Sequence, residues 1–137
     1  MVKNVFSGIL RYGWIPVIIA LVIFYLCCLI PVDDIPEVEV DFGIPFDKLA
    51  HFFMYMGLSG ATALYYIYDR KGNINIFAFI IGVIILPILY GGLIEIVQSM
   101  YFYPREGDWF DFLADSLGVL ASLPFAYYLR KWLLLKN

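Results

Sequence analysis

The chain has 137 residues, of which 63% are hydrophobic and 15% charged, and its formal net charge is −3. A soluble domain of this length could not bury that much apolar surface, whereas lipid solvates the excess. The length allows one compact bundle and no second domain, and no basic, aromatic-laced surface offers itself to nucleic acid.

In chain order, the first apolar run extends from Tyr12 to Ile30. Lys3 and Arg11 give it a basic start, as in a secretory leader. It is longer than a leader's apolar region and lacks a small-residue cleavage site, so it reads as a retained spanning helix. Cys27 and Cys28 are adjacent within it, with no third cysteine in the chain. They are expected to be apolar filler, with no disulfide and no metal. The stretch 31–46 is acidic, carries Pro31, Pro36 and Pro45, and reads as loop or surface-lying structure. A second helix is expected over 49–68, a third over 74–100 and a fourth over 110–129, each near the ~20 apolar residues a span needs. A polar turn, 69–73, joins the second to the third. A short loop with Pro104 and Gly107, 101–109, joins the third to the fourth. The expected fold class is therefore all-α: a polytopic membrane protein whose four-transmembrane-helix bundle is a single domain over residues 1–137.

Charge orients this bundle. Lys3, Arg11, Arg70, Lys71, Arg130, Lys131 and Lys136 fall on one side of four spans, and only Lys48 and Arg105 on the other. Of the 12 acidic residues, only Asp69 shares the basic side. The excess of basic residues marks the cytoplasmic face, so both termini are expected there. Tyr12, Trp14, Tyr65, Tyr127 and Trp132 suit an inner aromatic belt, and Tyr101, Tyr103 and Trp109 an outer one. Small residues every fourth position (Ala114, Gly118 and Ser122; Gly57 and Ala61) mark helix faces that approach closely in lipid. Pro87 should bend the third helix, and Gly91-Gly92 should permit close contact just before Glu95.

The ionisable groups gather at the helix ends that share the outer side, and such groups in or beneath a bilayer mark a functional site by default. Asp47 and His51 are i, i+4 neighbours, with Tyr55 one turn deeper on the same face. Glu95 and Gln98 share a face of the third helix. Asp108, Asp111 and Asp115 line one face of the fourth, which Gly118 and Ser122 continue. Asp47 also suits a helix N-cap, and Asp108 and Asp111 a helix N-terminus where the dipole favours acid. Ser116 points away from the aspartate stripe and Ser59 lies deep, so no serine nucleophile is indicated.

The segments Asp47-Lys48-x-x-His51-Phe52-x-x-Tyr55, Glu95-x-x-Gln98 and Arg105-x-x-Asp108-x-x-Asp111-x-x-x-Asp115-x-x-Gly118 resemble the VanZ-like family. The resemblance covers three of the four expected helices. The family pattern usually has Asn where this chain has Asp115. The resemblance implies a multi-pass protein of the bacterial cytoplasmic membrane, linked to resistance to teicoplanin-like lipoglycopeptides, with no settled activity.

Three functions are open to these residues. In an enzyme, His51 is general base or nucleophile, oriented by Asp47, with Glu95 and Asp111 as further catalytic carboxylates. Lys48 and Arg105 then hold a phosphate, and Gln98, Tyr55, Asp108 and Asp115 complete the substrate surface. The substrate is an outer-leaflet lipid or lipid-linked group. In a binder, the same pocket holds an anionic headgroup or a drug unchanged. In a structural network, the charges only register the helices. Glu95, Asp108, Asp111 and Asp115 are also hard oxygen ligands suited to Mg²⁺ or Mn²⁺. The sequence does not choose between such a cation and neutralisation by Lys48 and Arg105.

Overall fold

The computed structural model describes residues 13–34, 39–40, 43–104 and 106–136. Lys3, Arg11, Tyr12, Pro36 and Arg105, all used in the sequence reading, lie outside them.

Four helices carry the described chain. Helix α1 spans Trp14–Leu29, α-wound to Phe24 and π-wound over Tyr25–Leu29. Helix α2 spans Phe46–Asp69. Helix α3 spans Ile76–Tyr101 with a π-wound segment at Ile80–Ile85, and α4 spans Trp109–Lys136 with a break at Ser122. Between α1 and α2 lie a short 3₁₀ turn, Val32–Asp34, and a two-residue antiparallel pair, β1 (Glu39–Val40) with β2 (Ile44–Pro45). Gly43 stands at φ +72° just before β2.

The helix limits depart from the expected ones for local reasons. Helix α2 begins at Phe46 rather than 49 because Pro45, in extended conformation, takes the N-cap position. Asp47 is therefore not the cap. It lies in the first turn, where a carboxylate still meets the helix dipole favourably. Helix α3 starts where the Asn75 side chain accepts hydrogen bonds from the Phe77 and Ala78 N–H groups. Helix α4 runs past the expected end at 129 to Lys136. Pro124 does not stop it, because proline is tolerated in the first turn after the break at Ser122.

Helix α3 and helix α4 are long and apolar enough to cross a membrane, with mean hydropathies of 2.5 and 1.4 over their most apolar windows. Only 22% and 28% of those windows are buried, so most of their apolar side chains face outward. A core helix of a soluble protein hides its apolar residues. Here Phe77, Leu89, Leu93, Phe110 and Phe125 are exposed, while His51, Glu95, Gln98, Asp111 and Asp115 are buried.

The tightest pairing joins α2 to α4. At Gly118 an added Cβ would collide with the Phe52 carbonyl oxygen and lie 3.0 Å from the Met56 nitrogen, so the two backbones touch. The small residues of α2 behave differently. Gly57 faces open space, and the buried positions are His51, Tyr55, Leu58, Ser59, Ala63 and Ile67 instead. One apolar cluster, built on Ile23, Cys27, Tyr55, Leu58, Ile94 and Val119, supports the end of the bundle nearest the charges. A second, built on Ala63, Ile67, Phe79, Val83, Ala126 and Leu133, fills the opposite end.

Pro87 lies two residues past the end of the π-wound segment. It has no N–H to give the Val83 carbonyl, the partner residue 87 would have in an α-helix. The Ser59 hydroxyl donates to that carbonyl instead, at 2.6 Å, and lies 2.9 Å from the Ser122 hydroxyl. One buried polar link thus joins α2, α3 and α4.

Candidate functional site

The close approach at Gly118 fixes which residues of α2 and α4 face each other one and two turns toward the α4 N-terminus. Lys48 of α2 lies between carboxylates. Its Nζ donates to Asp108 Oδ2 and to Asp111 Oδ1, each at 2.7 Å, and to Asp47 Oδ2 at 3.3 Å. One turn deeper, His51 Nδ1 meets Asp115 Oδ1 at 2.8 Å, and its Nε2 lies 3.8 Å from Asp111 Oδ2. Asp115 is completely buried, and its carboxylate fits because Gly91 of α3 has no side chain. A Cβ there would lie 2.8 Å from Asp115 Oδ2.

Asp47, expected to orient His51, pairs with Lys48; the carboxylate on the imidazole is Asp115. The i, i+4 spacing puts Asp47 and His51 on one face, but the cross-helix contact set by Gly118 supplies a deeper and better aligned partner.

Asp108 has three roles. Its side chain caps α4 by accepting from the Phe110 N–H at 2.8 Å, its other carboxylate oxygen holds Lys48, and its own N–H donates to Glu95 Oε2 at 2.8 Å. The Lys48 ammonium, together with the Phe110 N–H, holds the Asp108 carboxyl below its ordinary value of 3.8. Glu95 is buried, and its second oxygen, Oε1, has no hydrogen-bond partner among the described residues. Asp115 Oδ2 and the Tyr55 hydroxyl are in the same position, so the orphaned buried side-chain atoms among the described residues lie in this site or directly behind it. Such atoms in a native protein call for water, an ion or a ligand.

Two cavities flank the cluster. A cleft of about 690 Å³ opens between the π-wound end of α1 and the start of α2. Asp34, Asp47, His51, Gln98, Glu106 and Asp111 form its polar lining, and Leu26, Phe53 and Met54 are among its apolar walls. A second cavity, of about 330 Å³, lies between α3 and α4, where Glu95 and Asp108 face Ile96, Trp109 and Phe112. Gln98 lines the first cleft and donates to the Cys27 carbonyl at 2.6 Å, tying α1 to α3. Tyr55 is fully buried behind the site, its ring tilted against Tyr90 at 6.2 Å, and it does not line either cavity.

The structure thus brings together Asp47, Lys48, His51, Glu95, Asp108, Asp111 and Asp115, with Gln98 at the edge and Tyr55 behind. Five carboxylates face one lysine and one histidine among the described residues. One ligand atom from each of His51, Glu95 and Asp111 lies within 4.8 Å of the other two, so these are the residues able to hold a metal. The deep Ser59–Val83 link is a structural element the sequence reading missed. The offset of Pro87 from Val83 was its only signal. No family model, curated protein or solved structure matches the chain.

Proposed function

We propose that this chain is a membrane-embedded bundle of the VanZ-like kind, with four spans and both termini on the cytoplasmic side. Its polar site lies just beneath the external surface and acts on an outer-leaflet lipid or lipid-linked group. A contribution to lipoglycopeptide resistance of the teicoplanin type follows from the same reading. The membrane part rests on the inverted polarity of the bundle, apolar outside and ionic within, and on the one-sided distribution of its basic residues. A bilayer tolerates buried ionisable groups only where they face protein or a wet cavity.

The observation that carries the functional reading is the Asp115–His51 hydrogen bond beside a cleft with both ionic and apolar walls. With Nδ1–H donated to Asp115, the imidazole is held in one tautomer, and the Nε2 lone pair faces Asp111 on the cleft side, with the Cys27 thiol also within hydrogen-bond reach of the ring. In that state His51 can take a proton from water or a hydroxyl attacking a headgroup, and can return it to the leaving oxygen. The apolar wall formed by Leu26, Phe53 and Met54 suits the first carbons of an acyl chain. Lys48 already serves three carboxylates, which makes it a neutralising group rather than a hand for substrate phosphate.

One observation favours a second reading. Both ionic contacts, Lys48 with Asp108 and Asp111, and His51 with Asp115, join α2 to α4. A purely structural network would look the same. The test is lipid mass spectrometry and teicoplanin susceptibility of cells carrying wild-type, His51→Gln or Glu95→Gln protein, together with a reporter fused to the C-terminus. The catalytic reading expects variants that insert and fold but lose the altered lipid species. Full retention of the effect by both variants refutes it, unfolding of both favours the structural reading, and an external C-terminus overturns the topology.

A further inference from the structure

The ionic cluster is unbalanced. Lys48 is fully engaged by Asp47, Asp108 and Asp111, and Glu95 and Asp115 have no lysine partner among the described residues. An anionic headgroup would be repelled by such a site unless something positive stood between them. Three side chains each present a polar atom beyond the one already committed across the helices. His51 gives Nδ1 to Asp115; its ring is also within hydrogen-bond reach of the Cys27 thiol, a contact that an ion on Nε2 would displace or share. Asp111 gives Oδ1 to Lys48, leaving Oδ2, which lies 3.8 Å from that same Nε2. Glu95, only 8% exposed, gives Oε2 to the Asp108 N–H, leaving Oε1 with no partner among the described residues.

We propose that His51, Glu95 and Asp111 form a binding site for a divalent first-row transition-metal ion. The ion is held by the His51 Nε2 and by one carboxylate oxygen from each of the acids. Ligands at the usual metal distances of ~2.0–2.2 Å stand roughly 3.0–3.5 Å from one another. From separations within 4.8 Å, the three reach that spacing by side-chain rotations of about 1 Å or less. One imidazole with two carboxylates is a mixed nitrogen and oxygen set, which suits Mn²⁺ or Zn²⁺ better than Ca²⁺. A ligating histidine commonly donates its other N–H to a carboxylate, which fixes its tautomer and raises its basicity, and Asp115 stands in that relation to His51. Three protein ligands leave positions for water or a phosphate oxygen. His51 and Asp111 border the larger cleft, and Glu95 borders the smaller one, so those positions are reachable from a cavity. The ion would reverse the local charge and make an acidic site receptive to an anionic headgroup. Metal binding itself does not depend on the lipid reading; with the ion bound, the Nε2 lone pair would be committed to it, and an ion-bound water rather than His51 would have to serve as the base.

The test uses the full-length chain purified in detergent, stripped with chelator and titrated with MnCl₂. The expected result is about one Mn²⁺ retained per chain, an imidazole ¹⁴N coupling in pulsed electron paramagnetic resonance, and displacement by Zn²⁺. Glu95→Gln should abolish stoichiometric binding. Asp115→Asn should weaken it by roughly 10–100-fold. Glu106→Gln, at another acid lining the larger cleft, should leave it unchanged. Absence of the ¹⁴N coupling in folded wild-type protein overturns the proposal, as does equal weakening by Glu106→Gln and Glu95→Gln. Because the coupling is read on wild-type protein, a misfolded variant does not block the decision. Metal uptake without lipid turnover would remove the proposed function and leave this site standing.

Discussion

Gly118→Ala adds one carbon where two backbones meet, and its cost can be worked from the geometry. The new Cβ would collide with the Phe52 carbonyl oxygen and stand 3.0 Å from the Met56 nitrogen. Both obstacles are main-chain atoms of α2, so no rotamer change relieves them, and the helices must separate by about an ångström. Overpacking costs ~1–3 kcal/mol in general, and a collision with two main-chain atoms belongs in the upper half of that range, ~2–3 kcal/mol. Replacing glycine by alanine in a helix returns about 1 kcal/mol. The net expectation is a loss of about 1–2 kcal/mol. Gly57→Ala makes the same chemical change on α2 where nothing lies within 4 Å. It should stabilise by about 0.5–1 kcal/mol. The assay is unfolding of the full-length chain by SDS in mixed micelles, followed by far-ultraviolet circular dichroism and tryptophan fluorescence. If Gly118→Ala is as stable as wild type, or if the two variants shift the same way, the α2–α4 contact is not as described.

Three further outcomes are expected. Ser59→Ala strips the Val83 carbonyl of its donor and should cost ~1–3 kcal/mol in the same unfolding assay. Ser122→Ala added to it should cost less than it does alone, because the two hydroxyls are neighbours. Gln98→Leu removes the tie to the Cys27 carbonyl and should speed hydrogen exchange across Tyr25–Leu29 more than anywhere in α4. The third concerns pH. The Asp108 carboxyl is depressed in the folded chain, chiefly by its bond to Lys48, so its pairing stabilises above the ordinary value of 3.8 and is lost as pH falls through the lower folded value. The Asp108 contribution, read as the difference between wild type and Asp108→Asn, should therefore hold from pH 7 to about 4 and decline below that. In Lys48→Met, which removes the main cause of the depression, that difference should shrink across the whole range. Melting curves between pH 3 and 8 would show it.

Much of this arrangement was legible before any coordinates. Apolar runs located all four helices, because Pro45, Asn75 and Asp108 stand at boundaries that local chemistry enforces. The end of α4 was not legible, since Tyr127 to Lys136 mixes aromatic and basic residues without a glycine to stop the helix. The aspartate stripe and His51 were readable from helical spacing alone. Partner choice was not. Spacing puts Asp47 one turn from His51 and is silent on Asp115, and only the inter-helix approach at Gly118 decides for Asp115. The stripe through Gly57 misled because a small residue permits close contact without requiring it. Arg105, a central cation in the sequence reading, lies outside the described residues.

The position of Lys48 also bears on how the molecule is made. Its two shortest contacts are with residues 60 and 63 positions later in the chain. At typical synthesis rates of ~5–20 residues per second, roughly 3–12 s pass between the emergence of that ammonium and of its acceptors. During this interval Lys48 has, of the three carboxylates it contacts in the folded chain, only Asp47. Biogenesis should then be most exposed to quality-control proteases while α4 is still on the ribosome, and truncation before Trp109 should yield a short-lived fragment rather than a stable smaller bundle.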